Sequence, residues 1–521
     1  MLKKEIGIKP NIGKEDSLKK RYAYKLFTNF WGMGMGMITL GMTPRALGPA
    51  MYGSYSFLTN FFSQLMNFFD VGTSTGFYSK ISYRQREHSL ITFYFSFMFI
   101  LALAVFLFLA AAFATSLDKF LWPGQLRIFI LLAACFGLFS WISNVLNKIT
   151  DAYALTIKAE MAKVVRLTIG TIFIVLLFSL SRLNILTLFI LQLCILLIII
   201  ISFLLIINRK VKIKDLIRPM PWQMVKGYIV EFYKYSHPLL AYALVGLIIG
   251  LLDRWLLQVF AGSEQQGFYG LSYTIGSFCF MFTLAMQPLF MRELSILNGN
   301  RDYDKMAELF RRYIPLFYFI AAYFSCFIAI NAGNVTSIIG GGKYGSAILP
   351  IAIMAFYPMH QTYGQLSGSV YYATERTSLY RNIGISMMFV GLPLTYILIA
   401  PTAYLGLSMG AIGLALKMVV LQLMAVNVQL YFNSKMLKLN YWKYVLHQLT
   451  VPTILVLIAF IIRSSLGLFM TGGNILFSFV ISGAIYTMFA ALAIYCFPMI
   501  IGMRRPEMMG IINIARKRSG V

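Results

Sequence analysis

About fourteen apolar stretches, most of them roughly 20 residues or longer, follow one another along this chain with short polar connectors between them. The core of a bilayer offers no water to backbone amides and carbonyls, so a lipid-spanning segment is either a helix or a strand of a closed barrel. A barrel strand alternates apolar and polar residues, and these runs do not. The chain therefore reads as all-α and polytopic, in keeping with its 59% hydrophobic and 12% charged content.

The spans fall at roughly 24–43, 52–78, 89–116, 124–147, 152–180 and 184–208, then 228–260, 267–291, 308–331, 346–373, 377–400 and 406–432. A last pair follows at roughly 444–468 and 474–502. This divides the chain into a basic tail (1–23), a six-helix bundle (24–208), a connector (209–227), a second six-helix bundle (228–432), and two extra helices with a tail (433–521). None of the polar segments could bury a core of its own.

Basic residues in short loops stay preferentially in the cytoplasm. An inside N-terminus collects Lys3, Lys4, Lys9, Lys14, Lys19, Lys20, Arg21, Lys80, Arg84 and Arg86 on one side. The same side gains Arg209, Lys210, Lys212, Lys214, Arg218, Arg301, Lys305, Arg311, Arg312, Arg504, Arg505, Arg516, Lys517 and Arg518. Only Arg45, Lys119, Arg127, Arg182, Lys343 and Arg463 fall opposite, so both termini are expected in the cytoplasm. The net charge of +27 is thus spread over loops rather than gathered on one face, which argues for topology and anionic lipid and against nucleic acid.

Catalytic motifs are missing from the sequence. The five cysteines, Cys135, Cys194, Cys279, Cys326 and Cys496, all lie in expected helices without metal or redox spacing, and His88, His237, His360 and His447 are far apart. Gly340-Gly341-Gly342-Lys343 reads as a flexible outer turn rather than a phosphate loop. No cofactor, metal or enzymatic activity is expected. The first 23 residues carry no apolar run before a small-residue cleavage site, so no removable signal peptide is expected either.

A repeat is suggested by Leu47-Gly48-Pro49-Ala50-Met51-Tyr52-Gly53-Ser54-Tyr55 and Gln266-Gly267-Phe268-Tyr269-Gly270-Leu271-Ser272-Tyr273. Aligning the two Tyr-Gly pairs gives an offset of 217, which also brings Asn144 onto Gln361 and Asp70 onto Gln287. Duplication of an even number of helices keeps the copies in the same orientation, related by a pseudo-twofold along the membrane normal, with a cavity expected between the bundles.

Polar residues inside spans normally face a bundle interior or water. Asn60, Gln64, Asn67 and Asp70 recur on one face of the second helix, and Ser140, Asn144, Asn147 and Lys148 on the fourth. The tenth carries His360, Gln361, Gly364, Gln365, Gly368 and Tyr371. Such stripes fit either the walls of a cavity or helix-to-helix packing. Asp253, Arg254 and Lys417 stand apart as charges within spans, each costing roughly 3 kcal/mol at a helix centre. An Asp253–Lys417 pair between helices would leave Arg254 unpaired in the cavity; alternatively all three tie helices together. Net positive charge among Asn, Gln, His and Tyr suits an anionic head group rich in hydroxyls, such as a sugar on a lipid phosphate or diphosphate. A cation exporter would favour carboxylates, and here only Asp70 and Asp253 qualify.

The run from Pro44-Arg45-Ala46-Leu47-Gly48-Pro49 to Tyr52-Gly53-Ser54-Tyr55, with Asp70-Val71-Gly72 closing the second helix, resembles the start of Wzx-type polysaccharide flippases. Asp253-Arg254 followed by Gly267-Phe268-Tyr269-Gly270-Leu271-Ser272-Tyr273 is similar to the same group, a branch of the multidrug/oligosaccharidyl-lipid/polysaccharide (MOP) exporter superfamily. The resemblance implies two six-helix lobes that alternate access and carry an undecaprenyl-diphosphate-linked oligosaccharide (O-antigen, capsule or exopolysaccharide) across a bacterial cytoplasmic membrane. Carried over, it makes Arg254 and Lys417 candidates for the diphosphate or acidic sugars. Asn60, Gln64, Asn67, Asn144, Lys148, His360, Gln361 and Gln365 become candidates for the glycan. Asp70 and Asp253 are, by acidity alone, the candidates for a coupling proton or monovalent cation. Pro288 and Pro358 read as bends, either moving or static. A monomer surrounded by membrane lipids is expected. A small-molecule exporter of the same superfamily, or a membrane glycan polymerase or ligase, is the alternative; the latter would need a large outer loop that the sequence lacks.

Overall fold

The structure, a computed structural model, describes residues 18–70, 72–84, 87–212, 220–469, 474–503 and 505–508. Lys3, Lys4, Lys9, Lys14, Arg86, Lys214, Arg218, Arg504, Arg516, Lys517 and Arg518 lie outside the described residues, as do most of the N-terminal tail and the connector's middle.

The chain is helical throughout, with no strand among the described residues. The first half comprises α1 (Leu18–Asp70), α2 (Thr73–Tyr83), α3 (His88–Ala114), the short α4 (Asp118–Leu121), α5 (Arg127–Ala152), α6 (Thr156–Ser179) and α7 (Ile185–Asn208). The second comprises α8 (Trp222–Phe278), α9 (Met281–Gly299), α10 (Tyr303–Ile330), α11 (Ala332–Ile339), α12 (Ile348–Met354), α13 (Tyr357–Ala373), α14 (Thr377–Ile399) and α15 (Gly410–Leu437). The final pair is α16 (Tyr441–Phe469) and α17 (Ile475–Cys496).

Ten of the described helices are long and apolar enough to cross a membrane. The other expected crossings are those that a kink or break divides. α1 and α8 each hold two expected spans and fold back at a single glycine, Gly48 with φ 71° and Gly262 with φ 80°. Positive φ is strained for residues with a Cβ, which is why the turn falls on glycine. The second crossing breaks after Asp70, where Gly72 (φ 74°) leads into α2. The eighth breaks at Cys279–Phe280, well before Pro288, which lies inside α9. Pro358 starts α13 directly after the break from α12, so of the two prolines only this one marks a bend.

One core is built from residues of the first half, including Phe57, Phe62, Trp122 and Phe189, and it extends to Tyr228 and Phe232 at the start of α8. A second is built from α9, α10, α13, α15, α16 and α17, around Phe310, Tyr318, Tyr363 and Tyr486. A third joins the halves at the kink end, where Tyr52 meets Leu257, Phe268, Tyr344 and Leu414. The Gly340–Lys343 run is therefore no loose turn. It enters a 3-10 helix at Gly342–Ala347 whose Tyr344 is fully buried and donates to the Pro44 carbonyl at 3.3 Å.

The packing of α1 on α8 fixes the register of the repeat. A Cβ on Gly53 would overlap the Ser263 carbonyl, and one on Gly267 would overlap that of Pro49. Gly250 faces the Gln64 amide, and Gly36 faces the Phe278 ring. Each contact maps onto its partner if residue i is equivalent to i + 214, the spacing that also relates Gly48 to Gly262. The sequence offset of 217 is therefore displaced by three: the Tyr-Gly match was coincidental, and the true equivalents are the glycines at the crossing.

Candidate functional site

Each half contains a cavity among its candidate membrane-spanning helices, and the register of 214 relates them. The first, about 120 Å3, is lined by Gly32, Met35, Gly36 and Thr39 of α1, Arg166 and Gly170 of α6, and Gln192 of α7. The second, about 390 Å3, is lined by Gly246, Ile249 and Gly250 of α8, Gln361 and Gln365 of α13, Tyr380 of α14, and Lys417, Gln422 and Gln429 of α15. Gly32, Met35 and Gly36 correspond to Gly246, Ile249 and Gly250, so the same strip of the repeat forms one wall of each.

The second cavity holds a neutralised cation. Lys417, only 3% exposed, donates to Asp253 Oδ2, while Asp253 Oδ1 accepts from Thr395 Oγ1 at 2.7 Å. This is the interhelical pair the sequence allowed. Its remaining polar lining is amide-rich: Gln361 accepts from Tyr357 OH at 3.3 Å, and the Gln365 Oε1 is buried without a partner. Gln64 reaches this wall from the first half, against Gly250. His360 does not line the cavity; it is buried on the far face of α13, with its ring 6.1 Å from that of Tyr318.

Arg254 is not left free by that pair. It is 8% exposed; its Nη1 donates to Gln266 Oε1 at 2.8 Å, and its guanidinium stacks 4.4 Å from the Tyr269 ring centroid. Gln266 Nε2 donates in return to the Arg254 carbonyl. Arg254 thus ties the two segments of α8 together across the Gly262 bend.

Asp70 sits at the break between α1 and α2 and is saturated with neutral donors. It accepts from Ser74 Oγ at 2.7 Å, Ser74 N at 3.1 Å and Trp141 Nε1 at 3.1 Å, with Thr73 and Tyr94 hydroxyls at 3.4 Å. Lys148 joins this cluster at one remove, donating to Ser74 Oγ at 2.6 Å. Asn60 has its Oδ1 buried without a partner, whereas Asn67 and Asn144 are exposed.

Arg166 went unnoticed in the sequence because it follows Lys158, Glu160 and Lys163, which read as the charged end of a helix. It lies ten residues into α6, about 15 Å from the helix start and nearly one turn beyond Lys163. Lys163 takes the one nearby carboxylate, that of Glu160, at 2.8 Å. Arg166 has its Nε buried without a hydrogen-bond partner and forms no ion pair among the described residues. In the register of 214 the position of Asp253 is occupied by Thr39, so the first cavity has a cation and no counter-ion. The legible signal was an arginine deeper in the span than its charged neighbours.

Two pseudo-symmetric halves, crossing at glycines and each carrying a cavity partly lined by polar residues, make up an all-helical multi-pass membrane protein. The family described as "Polysaccharide biosynthesis protein" matches residues 18–291, and the chain belongs to that family. Its fold is shared with the lipid II flippase MurJ in an inward closed conformation, at 13% identity and a TM-score of 0.62, over 91% of this chain and 99% of that one. It is shared also with an inward-facing multidrug resistance MATE family transporter of the MOP superfamily, at 13% identity and a TM-score of 0.60, over 80% and 94% of the two chains. A third similar structure is a MOP superfamily transporter from Pyrococcus furiosus described as having a binding pocket of reverse polarity, at 14% identity and a TM-score of 0.52, over 81% and 97%. No curated protein sequence matches the chain.

Proposed function

We propose that this protein flips a lipid-diphosphate-linked oligosaccharide, a polysaccharide repeat unit carried on undecaprenyl diphosphate, from the inner to the outer leaflet of a bacterial cytoplasmic membrane. The observation that carries the reading is the Arg166 guanidinium, held inside a candidate membrane span in a cavity without a carboxylate. A cation partly withdrawn from water without a counter-ion is costly, and a diphosphate entering the cavity offsets that cost with bidentate, charge-assisted hydrogen bonds.

The second cavity complements the first. With Lys417 already met by Asp253, it offers a nearly neutral surface of amides and hydroxyls, of the kind that hydrogen-bonds sugar hydroxyls. Gln361, Gln365 and Gln64 are its glycan contacts in this reading, with Asn60, Asn67, Asn144 and Lys148 further along the path. Asp70 and Asp253 are retained as positions for a coupling proton or monovalent cation. The Gly53–Gly267 crossing acts as the fulcrum about which the halves rock, and the termini face the cytoplasm, as the basic loops favour.

The test is reconstitution of the full chain in liposomes with a lipid-diphosphate oligosaccharide on one leaflet, measuring how fast the glycan becomes accessible to an enzyme on the other. Protein-dependent acceleration that is lost in Arg166→Gln supports the reading. Absence of acceleration with several glycans, together with transport of a soluble organic cation, would move the protein to the exporter branch.

A further inference from the structure

A cavity of about 580 Å3, larger than either of those above, lies outside the repeat, where α10 and α16 meet the 3-10 turn Pro498–Ile501 that follows α17. It is built, not a surface dimple. Gly502, at φ 74°, presses the turn so close to α10 that a Cβ there would lie 2.8 Å from the Arg311 carbonyl oxygen. A His447 ring nitrogen bonds the Ile500 carbonyl at 2.7 Å, and its Nδ1 is buried without a partner.

Two kinds of surface meet in this space. Arg311, Lys443 and Arg505 converge on it from three separate elements; no acidic residue lines it, and none of the three forms an ion pair among the described residues. Pro315, Met499 and Met503 give it apolar walls. The level in the membrane is marked by Trp442 and Tyr495, which are 73% and 50% exposed, since the amphipathic rings of Trp and Tyr collect at the depth of the lipid head groups. A soluble anion has no use for the apolar wall, and an acyl chain alone has no use for three cations. A phosphodiester joined to acyl chains uses both.

We propose that this cavity is a binding site for one anionic phospholipid, its phosphodiester on Arg311, Lys443 and Arg505 and the upper part of its acyl chains against Pro315, Met499 and Met503. The lipid then ties the C-terminal pair to α10, independently of what the two transport cavities carry.

The full-length protein, delipidated in neutral detergent, is titrated with phosphatidylglycerol, phosphatidylcholine or inorganic phosphate, and bound lipid is counted by native mass spectrometry. Phosphatidylglycerol is expected to be retained at least tenfold more than phosphatidylcholine, with a preference that disappears in Arg311→Gln/Lys443→Gln. Because that variant removes two surface charges and could fold poorly, Met503→Trp is tested beside it; it fills the cavity from its apolar side and is expected to expel the lipid with all three cations intact. Equal retention of the two lipids, unchanged retention in both variants, or competition by inorganic phosphate at similar concentration would each overturn the proposal, the last by assigning the site to a free phosphate.

Discussion

The two cavities of the repeat are built from the same strip of a duplicated helix, yet one stores its charge neutralised and the other leaves it open. Gly246, Ile249 and Gly250 lead to Asp253, which meets Lys417; Gly32, Met35 and Gly36 lead to Thr39, and Arg166 nearby meets no carboxylate. Duplication conserved the backbone crossing, which steric contact enforces, while the charges diverged. A buried pair is self-sufficient and contributes to holding helices in place, whereas an unpaired buried cation is costly unless an anion arrives. In the proposed reading, the difference gives structure to one half and anion recognition to the other.

The largest expected effect tests the neutralised side. Asp253→Asn or Lys417→Met alone strands a buried charge and is expected to destabilise the protein by about 3–5 kcal/mol, read as a fall in unfolding temperature in detergent. The double substitution should recover most of that loss. Failure of the double to recover would mean that the two charges do not act as a pair.

Next comes the open side. Arg166→Gln is expected to slow glycolipid flipping by about 10- to 100-fold, the value of a charge-assisted hydrogen bond, with little change in unfolding temperature. Thr39→Asp, which gives the first cavity the carboxylate that the second already has, should slow transport likewise. A Thr39→Asp protein that transports normally would break the comparison.

The shared crossing is predicted to be intolerant in both halves. Gly53→Ala and Gly267→Ala each force a Cβ into a facing carbonyl and are expected to cost about 1–3 kcal/mol, with greater solvent accessibility of a cysteine placed at Tyr52. Unequal penalties at the two glycines would show that the pseudo-symmetry does not extend to energetics.

The smallest effect is expected at the opposite end. There Glu231 of α8 binds Lys80 at 2.5 Å and Arg84 at 3.0 Å, both from the first half. Part-exposed ion pairs are worth little, so Glu231→Gln should cost about 1 kcal/mol or less. It should nevertheless broaden the spin-label distance distribution between α2 and α8, because these contacts link the halves where the Gly53–Gly267 crossing does not reach. An unchanged distribution would leave the apolar packing of Tyr228 and Phe232 as the tie at that end.

Much of the architecture was legible because lipid imposes a simple rule on the chain. Apolar runs such as His88–Ala114 and Ile185–Asn208 must be helices, and their lengths can be counted. Breaks were less legible: Pro288 drew attention, but the eighth crossing is interrupted at Cys279–Phe280. Among the charges, Asp253 and Lys417 could be paired on paper because they are of opposite sign and each lies within an apolar run. Arg254 was singled out by the same logic, and its cage of Gln266 and Tyr269 could not be seen because it forms only when α8 folds back at Gly262.

The sequence by itself determined that this is an all-helical membrane protein, since hydropathy depends on local composition and backbone groups in lipid have no other solution. Tertiary structure decided the register of the internal repeat and which cation within the spans keeps a counter-ion. Both depend on residues 164 or more positions apart meeting between helices, as Gly53 meets the Ser263 carbonyl and Lys417 meets Asp253, and no local pattern encodes such a distance.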